Sequence, residues 1–309
     1  MYQFSIIIPH YNLPESLENL LQTIPTNNDI QVIIIDDGSN DKSRLYLKRL
    51  SDKYNNYTFI YNNQNQGAGV ARNKGLRFAK GKYVLFADTD DSFTSDAYDI
   101  WCSSISCNDD IIYFPVNCLL FDSKQPSEWL SKRERNVCRL KKKQNQLLRW
   151  LQYNHTEPWG KLFRREFIED HKIEFETSKV ANDYLFSVLT GLKAKKVNYI
   201  DQKFYNYMVR TGSLSNNQNI DIDKIISRLK VYKNIQNIFK QNGIYLRPFD
   251  RYAHSLEKDN DIRNNEYIRD YFQTVGWYGI KRINNIIISS IFRLFNIIIE
   301  KANLPYCGF

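Results

Sequence analysis

Long apolar runs are missing from this 309-residue chain. No stretch approaches the roughly 18 apolar residues that a membrane-crossing helix needs. Proline (8) and glycine (12) are sparse, which excludes collagen-like and Pro/Gly-rich low-complexity readings. A hydrophobic share of 42% against 25% charged residues also excludes a wholly disordered chain. Cysteine is scarce: the five, at 102, 107, 118, 138 and 307, are odd in number and form no CxxC pair. The opening residues MYQFSIIIPHYN lack the basic stretch of a secretory signal and meet Pro9 and His10 too soon. The thiols are therefore expected to be reduced and the chain to stay on the cytoplasmic side. His10, His155, His171 and His254 show no metal-ligand spacing.

What is present is size, aromatic content and an uneven charge. A chain of 36.7 kDa buries a full core and fits one large domain or one domain with an appendage. Residues 1–100 carry a net charge of −2, and the remainder carries +11. Nucleic acid, phosphorylated substrates and an anionic membrane surface are the partner classes that such a surplus admits.

The first hundred residues alternate two periodicities. Gln3–Pro9, Gln31–Asp36, Tyr57–Tyr61 and Lys82–Ala87 read as strands, the first two as continuous β-branched runs buried on both faces. Pro14–Ile24, Asp41–Tyr54 and Gly67–Ala79 read as the intervening helices. This predicts an α/β fold with a mostly parallel sheet flanked by helices. Residues 116–157 are polar and basic and read as an irregular insertion or flap. Strand and helix signals resume over Trp159–Asp170, Ala181–Leu192, Lys196–Ile200 and Phe204–Arg210. The chain turns predominantly helical after Asn216–Asn219.

Ligands of open α/β sheets bind beyond the carboxyl ends of the strands. The first strand runs into His10-Tyr11-Asn12, the second into Asp36-Asp37-Gly38-Ser39, the fourth into Asp88-Thr89-Asp90-Asp91. Like charges gathered at one edge repel unless a cation lies between them, and oxygen ligands of this type suit Mg2+ or Mn2+. The other reading of Asp88–Asp91 is a solvated turn capping a helix at Ser92 or Thr94, and Asp37-Gly38 is also plain turn chemistry. Gly67-Ala68-Gly69 lacks the third glycine of a dinucleotide fingerprint. It is better used to open a helix whose N-terminus faces an anion, with Arg72 nearby.

Taken in order, Ser5–Asn12 (SIIIPHYN), Asp36–Ser39 (DDGS), Asn65–Asn73 (NQGAGVARN) and Gly81–Asp91 (GKYVLFADTDD) resemble family 2 glycosyltransferases of the GT-A fold. Trp159–Arg165 (WGKLFRR) and Tyr205–Ser215 (YNYMVRTGSLS) are similar to later blocks of that family's bacterial capsule, lipopolysaccharide and oligosaccharide branch. The resemblance covers residues 3–215. It implies a Rossmann-like GT-A domain over 1–215, with a nucleotide-sugar half (1–115) and an acceptor half (116–215), followed by a helical appendage over 216–309.

The resemblance further implies a nucleotide site at Pro9, Tyr11, Asp37, Arg72, Asp88 and Arg210. Tyr11 would stack on the base, Asp37 would hydrogen-bond it, and Asp88 would lie near the ribose. Arg72 and Arg210 would face the diphosphate, with His10 near the nucleotide. Asp90, the second carboxylate of the DXD element Asp88-Thr89-Asp90, would bind Mn2+ or Mg2+. Asp183 is the candidate base, although Asn182 stands where the family usually has Glu; the other reading of Asp183 is a helix N-cap. The expected function is inverting transfer of a hexose from a nucleotide sugar, UDP-linked, to a glycan or lipid-linked oligosaccharide. The alternative is a non-catalytic scaffold that binds nucleotide sugar or membrane. A nucleotidyltransferase would need a glycine-rich basic loop after the first strand, and a nucleic-acid partner would be repelled by the acidic strand ends. Residues 276–301 form an amphipathic helical pattern. That helix would lie in a membrane interface at the inner face of the cell membrane, on the protein's own core or on a second subunit. Arg139–Lys143 reads as a solvated charged face or as a site that steers a lipid diphosphate acceptor or a membrane surface.

Overall fold

The computed structural model describes residues 1–105, 108–128, 131–178, 180–210, 222–243, 245–246 and 306–307. Two compact units divide the chain, Met1–Gln218 and Asn219–Phe309.

In the first unit, the apolar run Phe4–His10 forms strand β1 and Ile30–Asp36 forms β2. Between them lies helix α1, Pro14–Leu21, which Pro14 opens at a position where a missing N–H costs nothing. Helix α2, Asp41–Lys53, is capped by the Asn40 side chain accepting from the Ser43 amide. Strand β3, Thr58–Tyr61, helix α3, Ala68–Phe78, and strand β4, Tyr83–Phe86, complete the predicted alternation. Every one of these elements lies within three residues of its expected ends.

The chain continues through β5 (Ser92–Phe93), α4 (Ala97–Ser104), β6 (Ile111–Tyr113) and β7 (Asn117–Leu120). Next come α5 (Ser131–Leu140), α6 (Gln144–Asn154), β8 (Lys161–Arg164) and α7 (Arg165–Asp170). Last in this unit are α8 (Asn182–Lys193), β9 (Val197–Tyr199) and β10 (Tyr205–Val209). The main sheet runs β3-β2-β1-β4-β8-β6-β9. Its first four strands are parallel, β8 is antiparallel to both neighbours, and β6 pairs parallel with β9. A small sheet, β5-β10-β7, accompanies it.

Successive residues of a strand point to opposite faces, and β1 shows the result. Ile6 and Ile8 join a core with α1, α2 and α4, whereas Ile7 joins another with residues of α3, α6 and α8. The segment 116–157, expected to be an irregular flap, instead holds β7, α5 and α6. Val137, Leu147 and Leu151 give these polar helices a narrow apolar stripe, which the second core covers. Gln152 of α6 also donates to the Gly191 carbonyl of α8 at 2.9 Å.

In the second unit, α9 spans Ile222–Gln241, and β11 (Tyr245–Leu246) pairs parallel with β12 (Tyr306–Cys307). The tail pattern at 276–301 and residues 211–215 lie outside the described residues. Among the described residues, no helix is long and apolar enough to cross a membrane, and no disulfide joins Cys102, Cys118 and Cys138.

Candidate active site

The register His10↔Asp36 brings the ends of β1 and β2 together. His10 Nε2 accepts from the Leu13 amide at 3.2 Å, which leaves the ring proton on Nδ1, 3.1 Å from Asp36 Oδ1. Burial pushes the Asp36 carboxyl up, but hydrogen bonds from His10 and Ser39 outweigh it and hold the pKa below the ordinary value. His10, expected near the nucleotide, is thus buried behind the edge and committed to Asp36. Asn12, at φ 54°, accepts from the Asn40 amide and donates its own amide to Ser39 Oγ, both at 2.9 Å. That clasp joins the loops after β1 and β2 and leaves Tyr11 46% exposed between them, free to stack on a flat ligand.

Asp37 is buried, and its carboxylate takes Asn62 Nδ2 at 3.0 Å, the Gln66 amide at 3.1 Å and the Gly67 amide at 2.7 Å. Of the donors at the mouth of α3, the Gln66 and Gly67 amides are therefore occupied by a carboxylate of the chain itself. Gly67 turns the backbone there at φ 97°, a region open to glycine.

The acidic end of β4 is no solvated turn. Thr89 Oγ1 donates to the Pro9 carbonyl at 2.6 Å, anchoring the loop to β1. Asp91 is buried and accepts from Tyr205 Oη at 2.6 Å and the Met208 amide at 2.8 Å. Tyr205 Oη in turn accepts from the Asp88 amide at 2.9 Å. Burial first, then the charges of Asp88 and Asp90, raise the Asp91 pKa well above its ordinary value. Asp88 and Asp90 are left to face outward. Each has one arginine: Arg72 Nη2 lies 2.6 Å from Asp88, and Arg210 Nε lies 3.4 Å from Asp90. Arg210 also donates to Ser16 Oγ at 2.7 Å and lies over the Phe121 ring at 3.7 Å. Burial and the Asp88 charge push Asp90 up even against Arg210, which marks a place where further positive charge is welcome. Among the described residues no three side chains of ligating type converge as a closed metal cage. Asp90, with Asp88 beside it, is the carboxylate here that could hold a divalent cation.

Asp183 is the second residue of α8, whose cap position is held by Ala181 in left-handed backbone with no side-chain cap. Asp183 is therefore not the N-cap residue itself, although its carboxylate accepts from its own amide in that first turn. Burial pushes its carboxyl up to about 6, with Arg72 opposing and Glu157 and Asp88 reinforcing the rise. Asn182 turns its Oδ1 to Arg72 Nη1 at 3.0 Å. Gly69 permits this approach, since a Cβ there would strike the Glu176 carbonyl and Asn182 Cβ. Arg72 thus ties Asp88, at the end of β4, to the start of α8, and the Phe175 ring lies 5.4 Å from its guanidinium.

The structure links Pro9 through Thr89 to the loop that carries Asp88, and Asp88 through Arg72 to Asn182, next to Asp183; Tyr11 and Asp37 follow the neighbouring strands, and Asp90 pairs with Arg210. Sequence reasoning missed Tyr205, Asn73, Glu157 and Lys161. Asn73 Nδ2 donates to the Phe175 carbonyl at 2.9 Å, and its Oδ1 accepts the Phe175 amide at 2.7 Å. All but Glu157 lie inside the motif blocks, so position in a block was the available signal.

With this geometry in place, known proteins give a consistent picture. The profile of glycosyl transferase family 2 matches residues 5–172. The cholesterol galactosyltransferase of Borreliella burgdorferi is 28% identical over 78% of this chain and 72% of its own length. The poly(ribitol-phosphate) beta-glucosyltransferase of Bacillus spizizenii is 29% identical over 67% of this chain, which spans 32% of that protein. Among solved structures, S. aureus TarS 1–349 with UDP-GlcNAc superposes with a TM-score of 0.58 at 21% identity, covering 76% of this chain and 66% of that one. The mannosyltransferase PcManGT of Pyrobaculum calidifontis, with GDP-Man and Mn2+, gives 0.54 at 14% identity over 96% and 80%. These neighbours share the GT-A fold that the sheet order displays. The match over residues 5–172, on a sheet whose strand ends carry the motifs in order, places this chain in glycosyl transferase family 2.

Proposed function

We propose that the chain is an inverting hexosyltransferase that takes its sugar from a UDP-linked donor and passes it to a glycan acceptor. The observation that carries this reading is the placement of Asp183, its pKa pushed to about 6, across Arg72 from Asp88 at the end of β4. A carboxyl with that pKa is ionised at pH 7 yet basic enough to accept a hydroxyl proton, a step worth on the order of 10²–10⁴-fold.

In this mechanism Tyr11 stacks on the base, and Asp37 borders it from the loop that its carboxylate has already folded. The Pro9 carbonyl is held in place by Thr89. Arg72 and Arg210 offer positive charge to the diphosphate side. Asp183 accepts the proton of the acceptor hydroxyl, whose oxygen attacks the anomeric carbon from the face opposite the leaving nucleotide. Asp88 faces the ribose side, and Asp90 would hold Mn2+ or Mg2+, which when bound neutralises charge on the departing diphosphate.

The finer acceptor reading is a lipid-linked oligosaccharide met at the inner face of a membrane. It is supported by the +11 charge beyond residue 100 and the amphipathic pattern at 276–301. Two relatives are named for a sterol and for poly(ribitol-phosphate). The scaffold alternative rested on Asn182 in place of Glu. That Asn182 accepts a hydrogen bond from Arg72 supports the enzyme reading over the scaffold.

Thermal unfolding with UDP, GDP and CDP, each with and without Mn2+, tests the reading. A ligand at about a hundred times its Kd adds about 2.7 kcal/mol of stability. Stabilisation by UDP that requires Mn2+ is the expected result. A shift confined to GDP or CDP changes the donor, and no shift with any of the three overturns the nucleotide site.

A further inference from the structure

Lys161 takes no part in the mechanism above, yet its side chain is among the most deeply buried in the protein, with 1% of the residue exposed. A buried ammonium is costly unless it is compensated. Its Nζ donates to the His155 carbonyl at 2.5 Å and lies 3.5 Å from Ser187 Oγ, with the Tyr113 and Phe163 rings 5.5 and 5.7 Å away. None of these groups is anionic.

The charges that favour the Lys161 ammonium are those of Glu157 and Asp183. Ser187 follows Asp183 by four residues in α8, so the two share a face with Cβ atoms about 5–6 Å apart. Ser187 Oγ also donates to the Thr156 carbonyl at 2.5 Å, which staples residues 155–161 beneath the turn that carries Asp183. From that same segment Glu157 is held by Arg133 Nη1 at 2.9 Å, and Arg133 lies over the Trp159 ring at 5.3 Å.

We propose that Lys161 is a positioning residue for Asp183: buried against the first turns of α8, its ammonium opposes the carboxylates of Asp183 and Glu157 and so favours the ionised base. The inference rests on the reading of Asp183 as that base and deepens it. The charged groups facing Asp183 are Arg72 from α3, Asp88 from the end of β4, Glu157 from the segment before β8 and Lys161 of β8 itself. Those facing Lys161 are Glu157, Arg133 of α5 and Asp183, and buried His155 faces both Lys161 and Arg133. Burial pushes Lys161 down to about 7, so it is still mostly charged at pH 6, where Asp183 titrates.

The test is an NMR titration of the full chain labelled with 13C-lysine, as wild type and as Asp183→Asn. One lysine should titrate near pH 7, assigned by contacts to the Tyr113 and Phe163 rings. Its midpoint should fall by roughly half a pH unit in Asp183→Asn, where the facing charge is gone. A Lys161 midpoint unmoved by Asp183→Asn overturns the proposal. A second readout is the pH profile of UDP-hexose hydrolysis: the acidic limb should rise in Lys161→Met and fall in Glu157→Gln. A limb that stays put in both variants also overturns it. If Lys161→Met does not fold, the titration of Asp183→Asn still decides. The titration involves no nucleotide, so a chain that shows the coupling but no stabilisation by any nucleoside diphosphate loses the transferase reading while the Lys161–Asp183 coupling stands.

Discussion

Arg72 Nη1 meets Asn182 Oδ1 at 3.0 Å, joining helices whose residues stand 110 positions apart. The same guanidinium holds Asp88 through Nη2, so a neutral amide and a carboxylate share one buried cation. A Glu at 182 would bring a second formal negative charge to Arg72 and a third carboxylate close to Asp183.

Asn182→Ala removes the acceptor from a buried donor. The expected cost is about 1–3 kcal/mol, read from urea unfolding, with a loss of kcat because Arg72 is no longer fixed between β4 and α8. Unchanged stability would show that the contact carries nothing.

Asp183→Asn should abolish transfer while retaining stabilisation by UDP and Mn2+. Its effect on stability has a definite sign. A carboxyl whose folded pKa is raised to about 6 from the ordinary 3.8 holds its proton more tightly in the folded chain, so ionising it on going from pH 4 to 7 weakens the fold. Asp183→Asn should therefore be more stable than wild type at pH 7.5, with the difference closing toward pH 4. Thermal unfolding at both pH values reads this directly; a variant that is less stable at pH 7.5 contradicts the placement of Asp183.

For the wild type, kcat/KM should fall on the acidic side with a midpoint near pH 6 as Asp183 takes up its proton. A midpoint near 4 would assign the limb to an unperturbed carboxyl.

Much of this was legible in the sequence, and the reasons are particular. β1 and β2 are continuous apolar runs buried on both faces, so pattern alone located them. The strand ends carry chemistry at fixed places, which led to Asp37, Asp88 and Asp90; Asp183, at the start of α8, was reached through the family resemblance alone. The α5 and α6 segments were read as irregular because their apolar stripe is only two or three residues wide and is completed by other elements. Lys161 and Glu157 were passed over for a related reason. Burial of a lysine is a property of the fold, and nothing in Trp159-Gly160-Lys161 announces it.

Tyr205→Phe removes one hydroxyl from a chain of two hydrogen bonds, the Asp88 amide to Tyr205 and Tyr205 to Asp91. Asp91 keeps only the Met208 amide. A loss of about 1–3 kcal/mol is expected, together with weaker stabilisation by UDP and Mn2+ because the loop bearing Asp88 and Asp90 loses its anchor. Full retention of both would show that Thr89 and Pro9 fix that loop alone.

Asn73 grips Phe175 by both its amide N–H and its carbonyl, although residues 173–177 belong to no helix or strand. Solvent exchange of a backbone amide reports how often its own hydrogen bond opens, not the shape of the segment around it. The Phe175 amide should therefore exchange with deuterium on the slow timescale of the central strands, as an island of protection in an otherwise irregular stretch.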